Sequence, residues 1–254
     1  MNKIFVVALL CALTVTSTSC KKDKEDTTPA ATTGTAEINL AHKWGMGSSN
    51  FLLNMELIHP MTLDTLTFTT FKYYVSNVKF KKADGTWFTH PESYFLVDLS
   101  NPGSEVLSIP NVPVGEYTDM QYTMGVDSTR NVSGAQSGAL ATSNNMFWSW
   151  NSGYIMVKAE GTSPNSSSGS FAFHLGGFMG TNNVVTVKDV NFAGNAMTIA
   201  GSKTTEVHMN VNAAKLWHSS SSVSVTNSIM MPGTTAKTMA TDFYSSITFD
   251  HLHE

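Results

Sequence analysis

From residue 36 onward, apolar and polar side chains alternate with a period of two. Ile38, Leu40 and His42 alternate with Glu37, Asn39 and Ala41, and Val207, Met209 and Val211 alternate with Glu206, His208 and Asn210. Between these runs, Tyr74, Ser76, Val78 and Phe80 fall on one face and Tyr73, Val75, Asn77 and Lys79 on the other. Successive side chains of a strand point to opposite faces, so the pattern predicts half-buried strands. Asp84-Gly85, set between Lys79-Phe80 and Trp87-Phe88, predicts a hairpin with a type I′ turn. Turn-forming clusters recur at Asn101-Pro102-Gly103, Pro113-Val114-Gly115, Ser163-Pro164-Asn165 and Pro232-Gly233. The serine-rich stretches 161–170 and 219–222 read as loops. No long helix is expected. The best helical candidate is Asn212-Ala213-Ala214-Lys215-Leu216-Trp217, one or two turns capped by Asn212. Together these features predict an all-β fold, an antiparallel β-sandwich forming a single domain over 36–254.

The first 35 residues follow a different pattern. Asn2-Lys3 precede an apolar run over 4–15, then Thr16-Ser17-Thr18-Ser19-Cys20. A spanning helix needs about 20 apolar residues, so the run reads as a signal peptide covering 1–19. A small residue before a cysteine at its end resembles a lipobox, with Ser17 where leucine is usual. Cys20 is the expected lipidation site; ordinary cleavage nearby, leaving Cys20 free, is the other reading. Residues 20–35 then form a flexible tether rich in Lys, acids, Thr, Ala and Pro. The charged run 21–26 resembles surface-export signals of Bacteroidota lipoproteins. The expected location is the outer membrane, held by the lipid anchor and facing periplasm or cell surface.

Composition narrows the chemistry. Charged residues make up 13% of the 254, the net charge is −4, and Arg130 is the one arginine. Nucleic-acid binding is excluded, because it needs a basic patch. The two cysteines are Cys11, inside the signal segment, and Cys20. An acylated Cys20 leaves the mature chain without a thiol, which excludes disulfides, a cysteine nucleophile and zinc–thiolate sites. Any metal must rely on His, Met, carboxylate or backbone ligands. No Gly-x-Ser-x-Gly, P-loop or His-Glu-x-x-His motif is present, and no enzyme activity is expected.

Four segments, taken in order, resemble one family. They are Phe71-Lys72-Tyr73-Tyr74-Val75-Ser76-Asn77-Val78 leading to Asp84-Gly85; Val114-Gly115-Glu116-Tyr117 continuing to Gly125-Val126-Asp127-Ser128; Met146-Phe147-Trp148-Ser149-Trp150-Asn151-Ser152-Gly153-Tyr154 running to Glu160-Gly161; and Phe173-His174-Leu175-Gly176-Gly177. In this order and spacing the chain resembles the MbnP-like copper-binding family, with lipoprotein members in Bacteroidota. The resemblance implies a β-rich extracytoplasmic domain that binds copper. It also implies copper held between two histidines and a tryptophan oxidised to kynurenine, the oxidation being made by a di-haem peroxidase-like partner. Relatives of that kind often carry cysteines after the His-x-Gly motif. Here Gly177-Phe178-Met179-Gly180 follows instead, so the fold carries over better than the chemistry.

Copper favours imidazole and thioether ligands in its reduced state, and the chain has eight histidines and fourteen methionines. His174 is the leading ligand candidate, because Ala172 and Gly176 on its face leave room beside the ring; a histidine hydrogen-bonded at a sheet edge is the competing reading. His251 and His253 bracket Leu252, and an i, i+2 spacing puts both rings on one face of a strand; a solvated tail competes. A copper site drawing on His174 and this pair together is expected. His42 ends the first strand on its apolar side, as ligand or core histidine. His208 shares a polar face with Glu206 and Asn210, where simple exposure is favoured. His59, His90 and His218 read as surface residues. Trp148 and Trp150 are the candidates for oxidation, with core packing as the commoner role of such rings. The methionines read as core filling.

The reading that follows is an extracytoplasmic copper-binding lipoprotein acting in copper capture or handling. The alternative is a cell-surface binding or adhesion sandwich without metal, in which Trp44 or Trp87 would stack on sugar rings.

Overall fold

The computed structural model describes residues 31–253 apart from Met46, Ser48, Ala135, Trp150, Asn151 and Ser202. The signal segment, Cys20, most of the tether and Trp150 therefore lie outside the described residues. Residues from Ala31 onward form one compact unit. Its first half contains strands β1 (Thr33–Lys43), β2 (Glu56–Ile58), β3 (Thr65–Lys82), β4 (Trp87–Thr89), β5 (Tyr94–Asp98), β6 (Val106–Pro113) and β7 (Gly115–Met124), then a single turn α1 (Ser128–Asn131). Strands β8 (Phe147–Ser149), β9 (Gly153–Thr162), β10 (Ser170–Gly176), β11 (Thr186–Asn191), β12 (Met197–Ile199), β13 (Thr204–Asn212) and β14 (Ser228–Ile229) follow. Helix α2 (Thr234–Ser245) and strand β15 (Ile247–His253) end the described chain.

The strands form two sheets. The smaller runs β15-β13-β1-β6; the larger runs β11-β7-β3-β9-β10-β14, with short strands added to β3, β7 and β9. The all-β expectation holds, but the sheets are mixed rather than antiparallel. β1 and β13 are parallel, and so are β10 and β14. Parallel neighbours need long crossovers, which pairing by hairpins alone does not anticipate.

The period-two reading is correct for the small sheet. Ala36, Ile38, Leu40 and His42 are buried along β1, as are Val207, Met209 and Val211 along β13. Ile38, Leu40, Leu107, Met209 and Ile247 of this sheet meet Val75 and Tyr122 of the large one. Two apolar faces thereby leave water together, the dominant favourable term in folding. The long β3 departs from the pattern. Tyr73, Tyr74, Val75 and Ser76 are buried in succession, and the register with β7 shifts between Ser76 and Lys79. Asn77, at φ 52°, lies in this bulge. Such a bulge re-aims the side chains beyond it.

The Asp84-Gly85 hairpin forms, with a different turn. Gly85 N donates to Lys82 O at 2.9 Å, and φ is positive at Gly85 while Asp84 keeps a negative φ. A type I′ turn needs positive φ at both central residues. The Asp84 carboxylate instead accepts from Thr86 N and Thr86 Oγ1 at 2.8 and 2.6 Å.

Residues Ala213–Trp217 form the expected short turn, of 3-10 type, with the Asn212 side chain accepting from Ala214 N. Helix α2 was not anticipated. It buries Ala236, Met239, Ala240, Phe243 and Tyr244, an apolar stripe at helical spacing. Phe243 packs edge-on against Phe71 and Tyr73, and Trp217 against Phe68, Phe171 and Phe173.

Candidate functional site

The first candidate lies on β10, where His174 pairs with Lys158 of β9. His174 is buried. Its Nε2 lies 2.6 Å from Glu160 Oε1, and Lys158 Nζ lies 3.3 Å from the same oxygen. Burial alone would raise the Glu160 carboxyl. The His174 hydrogen bond and the Lys158 ammonium outweigh it and hold the carboxyl below its usual value. A carboxylate facing Nε2 favours the proton there and leaves Nδ1 with its lone pair. That Nδ1 is buried with no hydrogen-bond partner. A histidine whose second nitrogen is tied to a carboxylate is the usual arrangement of a metal-bound imidazole.

The space beside His174 is shaped by Trp148. A Cβ built on Gly176 would lie 2.6 Å from Trp148 Cζ3 and 2.8 Å from Tyr154 O, so the indole covers the bare backbone of Gly176. Gly176 follows His174 by two residues, and the register with β9 shifts between Leu175 and Gly176. The Trp148 Nε1 is also buried without a partner. An imidazole and an indole, each with an unused nitrogen, thus border the same short length of strand.

The second candidate lies on the outer face of the small sheet. Glu206 and His208 of β13 stand opposite His253 and His251 of β15. Nitrogen atoms of His208 and His253 and an oxygen of Glu206 lie within 4.8 Å of one another. His174 is not part of this group, and it belongs to the other sheet. The expectation that His174 and the His251/His253 pair share one site is thereby corrected. The His251/His253 same-face expectation holds, with His208 as the neighbour that joins them.

His42 is not available as a ligand. Its Nδ1 lies 2.5 Å from Glu105 Oε1 and its Nε2 3.0 Å from Tyr73 Oη, so both ring nitrogens are used in the core. His59, expected at the surface, is buried. Its Nε2 donates to Ala214 O at 2.8 Å, and its Nδ1 accepts from Thr62 N at 3.0 Å. Burial is the largest influence on its ring and lowers its pKa. Trp44 is also buried, with Nε1 donating to Ile58 O, which removes it as an exposed stacking platform. Trp87 is exposed, with Lys81 Nζ 5.9 Å over its ring.

Glu160 and Glu206 are the carboxylates of the two candidate sites that sequence reasoning missed. Glu206 had a signal, the Glu-x-His spacing on one face. Glu160 had none, since it reaches His174 diagonally across a strand pair.

The family model of MbnP matches residues 33–232. The chain belongs to the MbnP family. The solved structure of MbnP from Methylosinus trichosporium is similar in fold, with a TM-score of 0.51 and 16% identity. That similarity covers 81% of this chain and 84% of the other. A comparison with curated proteins gives no match. Within this MbnP-family chain, the matched span includes Trp148, Glu160 and His174. It ends before α2 and β15, so His251 and His253 lie beyond it.

Proposed function

We propose that this MbnP-family chain is a copper-binding protein acting in capture or handling of copper outside the cytoplasm. The observation that carries the reading is the buried, unpartnered Nδ1 of His174, with Nε2 tied to Glu160 and the Trp148 indole against Gly176 two residues on. Leaving a buried polar atom unpaired costs about 1–3 kcal/mol, and a bound metal ion would satisfy it. Copper in its reduced state suits imidazole ligands, and a buried imidazole nitrogen is free to take it here. A bound copper would supply a redox-active ion at this strand end. Glu160 would fix the tautomer and orientation of His174. Trp148 is the described indole that a di-haem partner would oxidise.

The same reading places the protein at the outer membrane, anchored through acylated Cys20 and tethered by the residues between it and β1, which begins at Thr33 rather than after residue 35, with no catalytic role.

The test is a Cu(I) titration of the full chain against a competing chelator, with wild type, His174→Ala and His90→Ala. Wild type and His90→Ala should bind one ion equally. His174→Ala should lose at least about 10–100-fold, the range seen for lesser supporting residues. A His174→Ala variant that stays folded and binds as tightly as wild type overturns the assignment.

A further inference from the structure

We infer that the outer face of the small sheet carries a second metal site, built from Glu206, His208 and His253 and selective for a borderline divalent cation such as Zn²⁺ or Cu²⁺. It stands apart from the His174 site and needs no copper at that position.

The site depends on one irregularity of β15. Phe249 pairs with Met209 and packs against the core, as Ile247 does with Val211. In a regular strand, His251 and His253 would share that inward face. The register shifts between His208 and Met209, leaving Asp250 as an extra residue. Beyond it the phase is reversed: His251 lies opposite His208, Leu252 opposite Val207 against the core, and His253 opposite Glu206. Bulges are a common means of turning a side chain toward a site.

The ligand atoms are held at suitable distances. Glu206 Oε2 lies 2.9 Å from His208 Nε2 and 3.9 Å from His253 Nδ1. These values bracket the roughly 3.3 Å between ligand atoms in a tetrahedral site with bonds near 2.0–2.1 Å. Asn39 Nδ2 of β1 donates to the same oxygen at 2.9 Å and fixes the carboxylate. The His251 ring stacks on His208 with centroids 4.4 Å apart and planes 5° from parallel, which fixes the imidazole plane. His251 Nδ1 is itself held by Asp250 Oδ2 at 2.9 Å.

Two imidazoles and one carboxylate form a ligand set typical of Zn²⁺ sites that keep an open fourth position. The same nitrogen-rich set binds Cu²⁺ more tightly. An open cleft of about 480 Å³ lies beside it, lined by Asn39, Glu206 and His208 among others. A water or a small anionic ligand has access to the fourth position.

The test is a Zn²⁺ titration of the full chain against a competing chelator, followed by Cu(I) on the same proteins. Wild type, His174→Ala and His218→Ala should bind one Zn²⁺ alike. His208→Ala, His253→Ala and Glu206→Gln should each weaken Zn²⁺ by at least about 10-fold while leaving Cu(I) binding unchanged. The His253 side chain is 69% exposed, so its removal does not threaten folding. The inference is overturned if wild type binds no Zn²⁺. It is equally overturned if the His253 variant binds as wild type does, or if His174→Ala abolishes Zn²⁺ binding. Loss of Cu(I) binding in wild type alone would instead remove the proposed function and leave this site standing.

Discussion

Trp148 lies where a side chain on Gly176 would have to go: its Cζ3 is 2.6 Å from the position a Cβ at residue 176 would take. The backbone oxygen of Tyr154, at 2.8 Å, closes the other side and cannot swing away. Gly176→Ala should therefore destabilise the domain by about 1–3 kcal/mol, the usual cost of overpacking. Thermal unfolding should show a lowered midpoint. Combining it with Trp148→Ala should give a smaller total than the sum of the two single costs, because the contacting pair is coupled. Strict additivity would mean that the indole does not occupy this space.

His59 should give the domain a pH dependence near neutrality. Its ring is buried and its pKa lies below the ordinary 6.5. The unfolded chain thus takes up a proton at a higher pH than the folded one. The stabilisation is complete above about 6.5 and is lost as the pH falls through the depressed folded value. His59→Gln should be less stable at pH 7, by about 1–3 kcal/mol for the lost buried bonds. It should also show a shallower fall between pH 7 and pH 5. Denaturant unfolding at both pH values checks this; an unchanged slope would rule His59 out as the source.

Asp127 should make an acid-labile contribution. It caps α1 through Arg130 N and accepts from Tyr94 Oη at 2.5 Å and Asn77 Nδ2 at 3.1 Å. Burial raises its carboxyl, but these hydrogen bonds outweigh burial and bring it below 3.8. The stability it adds is present above that value and is lost as the pH falls through the folded pKa. Asp127→Ala should cost about 0.5–2 kcal/mol at pH 7, as for other helix caps, and less at pH 3. Equal cost at both values would show that the charge is not involved.

Cys20→Ala should move the protein from the membrane fraction to the soluble one, if the apolar run and small residues before Cys20 direct acylation. Fractionation followed by mass spectrometry of the N-terminal peptide reads both the anchor and its lipid. Retention of the alanine variant in membranes would refute the assignment.

Strands were legible where one face is buried and the other wet, as along β1 and β13. They were misread where both faces are buried, as at Tyr73-Tyr74-Val75-Ser76, because a continuous apolar run has no phase. Helix α2 had a readable signal, with Ala236, Met239, Ala240, Phe243 and Tyr244 at helical spacing. Four threonines within it, at 234, 235, 238 and 241, carry weak helix propensity and masked that signal. Packing against Phe71 and Tyr73 overrides propensity there.

For the candidate sites, residue type was legible and grouping was not. His174, His208, His251 and His253 stand out as imidazoles in strands. The bulge at Asp250, which decides where His251 and His253 point, has no glycine or proline to mark it. Long-range strand pairing within each sheet decides which side chains meet, β13 with β15 and β9 with β10, and a single sequence does not contain that information locally.

The parallel pairing of β1 with β13 also sets the order in which the domain can be completed. Asn39 and Glu206, joined across that pair, are 167 residues apart in the chain. Contacts of such long range form late, since the entropy of closing the loop must be met before they contribute. β1 leaves the ribosome long before its partner β13, which follows 167 residues later. The small sheet, and with it the imidazole cluster on its outer face, is expected to assemble last. An ion bound by His208 and His253 would then act as a latch on the final folding step, slowing the reopening of the sheet at the strand that ends the described chain.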